Sequence, residues 1–328
     1  MKNNCLLMTI FVFAGFLVYG QSPDDFEVTQ NKDGKTLTIS RYKGNLKNLT
    51  IPDELYGLSV TAIDNAVFQE KGLIGITIPD SITFIGDSAF YGNKLTSVTI
   101  PNSVTVIGSL AFGVNQLTAV TLGNSITTIG GSAFAGNQLT AVTIPNSVTT
   151  IGGGAFMHNQ LTAVTLGNSI TTIGQSAFRN NQLTIVTIPN SVTSIEDSAF
   201  AHNRLTAVAI GNSVTTIRSS TFNDNQLTTI TIPNSVSTIG SGAFSDNRLA
   251  SVILGSGLNC IYGGVFSSNE LTSITITKDV PKTLYGSRWG ESPGISGAGF
   301  EQNFINFYES QGRTPGTYVK NGPIWSKK

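Results

Sequence analysis

Leu recurs at residues 73, 95, 117, 139, 161, 183, 205, 227, 249 and 271, every 22 residues without a slip. Phe keeps the same interval at 68, 90, 112, 134, 156, 178, 200, 222, 244 and 266. Asn keeps it at 93, 115, 137, 159, 181, 203, 225, 247 and 269. Nine complete copies span Leu73 to Glu270, and the copy from Leu139 to Gln160 is representative. Within a copy, apolar residues fall at places one, four, six, ten, thirteen and eighteen. Places four and six alternate with small or polar residues, the period-two pattern of a half-buried strand. Val, Ile and Thr fill this stretch, and β-branched side chains suit a pleated surface. Pro or Gly at place seven ends the strand: Pro79, Pro101, Gly123, Pro145, Gly167, Pro189, Gly211, Pro233 and Gly255. Asn-Ser follows in seven copies and makes the corner. Place thirteen is Ile throughout, and Ala-Phe then forms the far wall with too few residues for a full helix.

One such unit cannot bury its own apolar face; stacking the units does. The pattern predicts a repeat solenoid of 22-residue coils, mainly β, with short irregular or helical turns on the opposite side. At a strand spacing of ~4.8 Å the nine copies build a rod or shallow arc roughly 43 Å long. The Phe column then reads as a core spine. The Asn column reads as a set of buried side chains that satisfy backbone groups at a tight bend.

The ends depart from the period. Residues 21–45 hold a predicted hairpin cap, with strands from Phe26 and from Thr36 around a turn at Asn31 to Lys35. Residues 46–72 form an irregular first coil that keeps Leu46, Leu49, Ile51, Pro52, Val60, Ile63 and Phe68. The nine regular copies follow over 73–270, and 271–283 open a partial last coil. Beyond it a Gly/Ser/Pro-rich stretch leads to Phe300, Phe304, Phe307 and Tyr308, spaced as on an amphipathic helix. Short strands at Thr317 and Ile324 around Asn321-Gly322-Pro323 complete an aromatic-rich cap over 284–328. Solenoid ends need such covers, because they expose unpaired strand edges. Residues 1–20 read as a secretory signal, with Lys2, an apolar core from Leu6 to Val18 and a cleavage site at Val18-Tyr19-Gly20. That core is short of the ~20 residues a membrane span needs, so no span is expected after cleavage. Cys5 precedes the core, which argues against lipid attachment, and cleavage leaves Cys260 alone in a place held mostly by Thr.

Charge narrows the partners. Formal net charge is zero, and no charged residue occurs from Leu95 to Phe178. Nucleic-acid binding needs basic patches that displace counterions from phosphates, so nucleic acid is not an expected partner. His158 and His202, both at place twenty, lie two coils apart, about 10 Å by strand spacing. Neither joint metal ligation nor a neighbouring Cys or carboxylate column is expected of them. Glu196 and Asp197 are consecutive on a repeat loop, whereas acid–base chemistry needs carboxylates that face each other across a substrate. No nucleophile elbow or phosphate-cradling loop is present, so neither an enzyme nor a cofactor is expected.

The run from Leu139 to Phe156 closely resembles the repeat of BspA-like leucine-rich-repeat proteins, and the resemblance extends over about 70% of the chain, from Leu46 to Val280. It implies a leucine-rich-repeat solenoid, secretion, surface display in host-associated microbes, and binding to matrix or plasma proteins such as fibronectin and fibrinogen. The copies in this chain have 22 residues, where family repeats are often one residue longer with Cys near the place of this Asn. The expected function is an exported, non-enzymatic surface adhesin for host matrix or other cell-surface proteins. A periplasmic or envelope scaffold without a host ligand is the alternative. Places three and five of the first strand point outward, giving a flat uncharged face of short side chains. The candidate contact is Thr143, Thr165, Ile185, Thr187 and Ala207, with Arg179 and Arg204 on adjoining loops. A crystal-binding Thr array would need outward Thr at both places, which only Thr229 and Thr231 supply.

Overall fold

A computed structural model describes residues 21–278 and 307–328, apart from 309, 313 and 323. The signal sequence, the stretch 284–299, and Phe300 and Phe304 of the aromatic pattern lie outside the described residues. We number the irregular coil 46–72 as coil 1, the nine regular copies as coils 2 to 10, and the chain from Leu271 as coil 11.

The chain winds as stacked coils of short strands, with no helix inside the regular coils. Each regular coil carries two strands. The first covers places three to five, as in Ala141–Thr143, where the alternating pattern predicts it. The second covers places twelve and thirteen, as in Thr150–Ile151, and the pattern does not predict it. Two residues are too few to show an alternation, so only the invariant Ile marks this side in the sequence. Yet the second strands form the continuous part of the fold. They stack in register, Thr128 on Thr150 on Thr172, Ile129 on Ile151 on Ile173, within one 13-stranded sheet.

The third side carries backbone bonds as well. The Phe amide of each coil donates to the Ala or equivalent carbonyl of the next, for example Phe112 to Ala133 and Phe134 to Ala155, both at 2.8 Å. Two left-handed residues bracket that turn. Place sixteen has positive φ at Ser88, Leu110, Ser132, Ser176, Ser198 and Ser220, and place twenty at Val114, His158, Asn180, His202, Asp224 and Asp246. Left-handed backbone is unfavourable for residues with a Cβ, so the closed coil must outweigh that cost. Val114 is the sharpest case, a β-branched residue at φ 52° and 51% exposed.

Inside, every Phe of the column from Phe68 to Phe244 is fully buried, and successive rings as far as Phe266 stack 5.0 to 5.8 Å apart. The centroid distance reflects both the rise from coil to coil and the lateral offset of the rings. It exceeds the ~4.8 Å of hydrogen-bonded strands, so successive rings stack with some offset. At the N-terminal end the hairpin Phe26–Gln30 and Thr36–Tyr42 extends both devices. Its second strand pairs parallel with Leu58–Ile63, and Tyr42 and Phe26 continue the ring column beyond Phe68. At the other end Gly316–Asn321 pairs antiparallel with Ser273–Ile276, and Ile324–Lys327 pairs with it in turn. Phe307 and Tyr308 meet the buried Tyr318 edge-on, at 6.1 and 5.5 Å between ring centroids.

The Asn column closes the coils. Asn181 accepts from the Leu161 amide at 3.0 Å and donates to the Phe156 and Phe178 carbonyls at 2.9 and 3.1 Å. One side chain thus satisfies backbone groups of two consecutive coils, and the same three bonds recur from Asn93 to Asn269.

Three outcomes are expected in equilibrium unfolding. Phe178→Ala loses about 3–5 kcal/mol as a large-to-small core change. Asn181→Ala leaves buried amide and carbonyl groups unpaired and loses roughly 3 kcal/mol. Val114→Gly gains about 1 kcal/mol, because glycine carries no penalty in the left-handed region. A loss under about 1 kcal/mol for Phe178→Ala contradicts the core spine, and any loss for Val114→Gly contradicts the strained corner.

Candidate interaction surface

The outward side chains of the first strands form one face of the solenoid. Thr143, Thr165, Thr187 and Ala207 are all exposed, and Ile185 stands out at 60% exposure. No ionisable side chain occupies places three or five of any regular coil. The hydroxyls of this column differ from those of its neighbours. Thr at place eleven donates to the coil below, as Thr149 does to the Thr127 carbonyl at 3.2 Å. Thr at place two does so in alternate coils, as Thr162 does to the Thr140 carbonyl at 3.2 Å. Among the described residues, no hydrogen bond within the protein uses the hydroxyls of Thr143, Thr165 or Thr187, so they remain available at the surface.

The pairing divides the candidate residues into two groups. Thr143 lies beside Thr165 in one strand pair, whereas Ile185 lies beside Ala207 and Thr187 beside Ala209 in the next. The two arginines differ as well. Arg204 is exposed, immediately before Leu205 and the strand that carries Ala207. Arg179 is half-buried and its guanidinium lies along the place-twenty loops, 3.2 Å from His202 Nε2.

That loop column holds an arrangement contrary to the expectation from sequence. A carboxylate does stand beside a histidine: Asp224, at place twenty of the next coil, lies 2.7 Å from His202 Nδ1. The spacing 202 to 224 is visible in the sequence, but not that the left-handed corner aligns these side chains along the axis. A guanidinium can only donate, so His202 Nε2 accepts from Arg179 and Nδ1 carries the hydrogen toward Asp224. His158 has a separate partner, Asn180, at 3.2 Å. The two histidines therefore do not converge on one site. Glu196 and Asp197 are also engaged structurally, Glu196 with Arg218 at 2.7 Å and Asp197 with the Ser219 amide at 2.9 Å. Among the described residues no three His, Cys, Asp or Glu side chains gather as metal ligands would.

Comparison with known proteins places this geometry. The family model for the BspA type leucine rich repeat region, in six copies, matches residues 40–162 and 171–285. The chain belongs to the BspA-type leucine-rich-repeat family. Solved structures share the fold. A leucine-rich repeat protein from Bacteroides ovatus is 24% identical with a TM-score of 0.62, covering 81% of this chain and 80% of its own. A leucine rich cell surface protein from Faecalibacterium prausnitzii is 28% identical with a TM-score of 0.55, covering 80% of each chain. The pneumococcal vaccine antigen PcpA is 18% identical with a TM-score of 0.52, covering 79% of this chain and 69% of its own. No curated protein matches the chain. BspA-type repeats are scaffolds suited to protein binding, and the leucine-rich-repeat solenoid is in general a non-enzymatic interaction fold. Among the described residues of this BspA-type chain, no helix is long and apolar enough to cross a membrane.

The Asp224–His202 pair is largely solvated, and such pairs contribute little. Asp224→Asn is therefore expected to change unfolding free energy by less than about 1 kcal/mol. A larger loss in denaturant titration shows that the corner is part of the fold's stability.

Proposed function

We propose that this protein is an exported surface adhesin, and that it engages extracellular-matrix or other cell-surface proteins through the first-strand face near the middle of the array. The contact comprises Thr143, Thr165, Ile185, Thr187 and Ala207, with Arg204 and Arg179 on the adjoining loops. The observation that carries this reading is Ile185, 60% exposed where the neighbouring coils on either side present only Ala and Thr at the outward places. An apolar anchor on a surface with little charge to desolvate is what a protein partner can cover. Short side chains add to this, because they lose little rotamer freedom when docked. A broad flat surface also suits a macromolecule better than a small ligand, which needs a concave site. The secretion pattern of residues 1–20 supports export, and the description of the Faecalibacterium relative as a cell surface protein supports display.

The test is attachment of the mature chain to immobilised matrix proteins. Thr165→Lys with Thr187→Lys sets two charges into the contact without touching the core. The double variant is expected to melt within a few degrees of the parent and to bind at least about tenfold more weakly, as a disrupted interface centre does. Unchanged binding at native stability removes this face and turns attention to the loops and the C-terminal strands.

A further inference from the structure

The copies share one sequence period, yet the structure pairs them two by two. The first strand of coil 3, Ser97–Thr99, pairs with that of coil 4, Ala119–Thr121. Ala141–Thr143 of coil 5 pairs with Ala163–Thr165 of coil 6, and Ile185–Thr187 of coil 7 with Ala207–Ala209 of coil 8. Each of these is a two-stranded sheet of its own. Among the described residues no strand pairing joins the first strands of coils 4 and 5, 6 and 7, or 8 and 9.

Other contacts follow the same alternation. The place-six amides of Ile100, Ile144 and Ile188 donate to the carbonyls of Thr121, Thr165 and Ala209, each at 2.8 Å. Among the described residues no equivalent bond leaves Leu122, Leu166 or Ile210. The place-two amides of Thr118, Thr162 and Thr206 donate back to Thr96, Thr140 and Thr184 within a pair. Asn102, Asn146 and Asn190 each accept from the backbone of the upper coil, at Asn124, Asn168 and Asn212, at 2.8 to 2.9 Å. Val98, Val142 and Val186 of the lower coils are buried, whereas Val120, Val164 and Val208 of the upper coils are only half-buried.

Over coils 3 to 8 the sequence marks this alternation at place seven, whereas coils 1 and 2, with Pro52 and Pro79, and coils 10 and 11 pair without a glycine in the upper coil. Lower coils have Pro101, Pro145 and Pro189, and upper coils have Gly123, Gly167 and Gly211. A Cβ on those glycines would stand 2.2 to 2.4 Å from the proline carbonyl oxygen below, so only glycine permits the close approach. From coil 3 to coil 8 the period is thus two coils, while coils 9, 10 and 11 join in one first-strand sheet at the C-terminal end. On the opposite side, the second strands run unbroken across every boundary: Thr128 pairs with Thr150, Thr172 with Ser194, and Thr216 with Thr238.

We infer that the working unit of the array is a two-coil module of 44 residues, and that the first-strand face opens at the seams between modules while the second-strand sheet acts as the continuous hinge leaf. Backbone bonds resist separation inside a module. At a seam the backbone bonds of places two and six are missing among the described residues. The bond that remains at the entry of the first strand, such as Gln182 N–H to the Leu161 carbonyl at 2.9 Å, is shared by boundaries of both kinds. The seam between coils 6 and 7 passes between Thr165 and Ile185, so a partner spanning both would fix the angle between two modules. The modules themselves do not depend on any partner.

Two measurements on the chain test it. In amide hydrogen exchange of the intact protein, Ile100, Ile144 and Ile188 should exchange at least about tenfold more slowly than Leu122, Leu166 and Ile210, the equivalent of one ordinary hydrogen bond. Equal protection of the two sets overturns the seams. The second measurement compares three deletions: residues 139–160, residues 161–182, and both together as 139–182. Either one-coil deletion leaves a coil without its pairing partner, whereas the two-coil deletion restores every type of contact. The two-coil deletion should therefore melt above both shorter ones, or fold where they do not. Stability that falls simply with the number of coils removed overturns the module.

Discussion

The structure depends on one requirement: the backbone must turn sharply three times in 22 residues around a core of Leu, Ile and Phe. Each turn strands amides and carbonyls, and buried groups without partners destabilise a fold strongly. The Asn column meets this need at the tightest corner, because a carboxamide offers an acceptor and two donors in one plane. Asn181 uses all of them on the backbone of its own coil and the one below. A side chain that bonds two coils at once also fixes their relative length. A residue gained or lost in a coil would move its Asn out of reach of the Leu amide that opens the same coil, which gives a physical reason for a period without slips from Leu73 to Leu271.

Stacking of equivalent residues then extends that constraint to the whole rod. Phe lies on Phe, Ile on Ile and Thr on Thr, so each inner place admits a single residue type, or nearly so, along the array. The outward places carry no such requirement. They are where Ile185, Arg179, His202, Arg204 and Asp224 interrupt an otherwise monotonous sequence. The ends are a separate problem, because a parallel ladder has no natural stop. Antiparallel hairpins provide one at both ends, with Tyr42 and Tyr318 as their buried aromatic centres.

The alternation of Pro and Gly shows how a small chemical difference is amplified by stacking. A single missing Cβ lets one coil settle onto the one below, and the backbone bonds of the first strands follow that approach. Where the order is Gly below and Pro above, the bonds are absent among the described residues, and the half-buried Val164 and Val208 mark the gap. A face that looks uniform in its side chains is therefore divided in its backbone.

The sequence by itself determined the solenoid, its period, the first strand of each coil, the buried Phe and Asn columns and the exposure of Thr143, Thr165, Ile185, Thr187 and Ala207. These follow from periodicity, which records which side of the chain meets water, and an unbroken repeat removes ambiguity about what stacks on what. The tertiary structure decided three things that periodicity does not encode. The second strands are only two residues long, so their continuous sheet exists only through bonds to neighbouring coils. The link from Arg179 through His202 to Asp224 needs the left-handed corner to set three loops in line. The two-coil pairing needs the distance between a Pro carbonyl and the place above it, which Pro and Gly hint at in the sequence but only packing can measure.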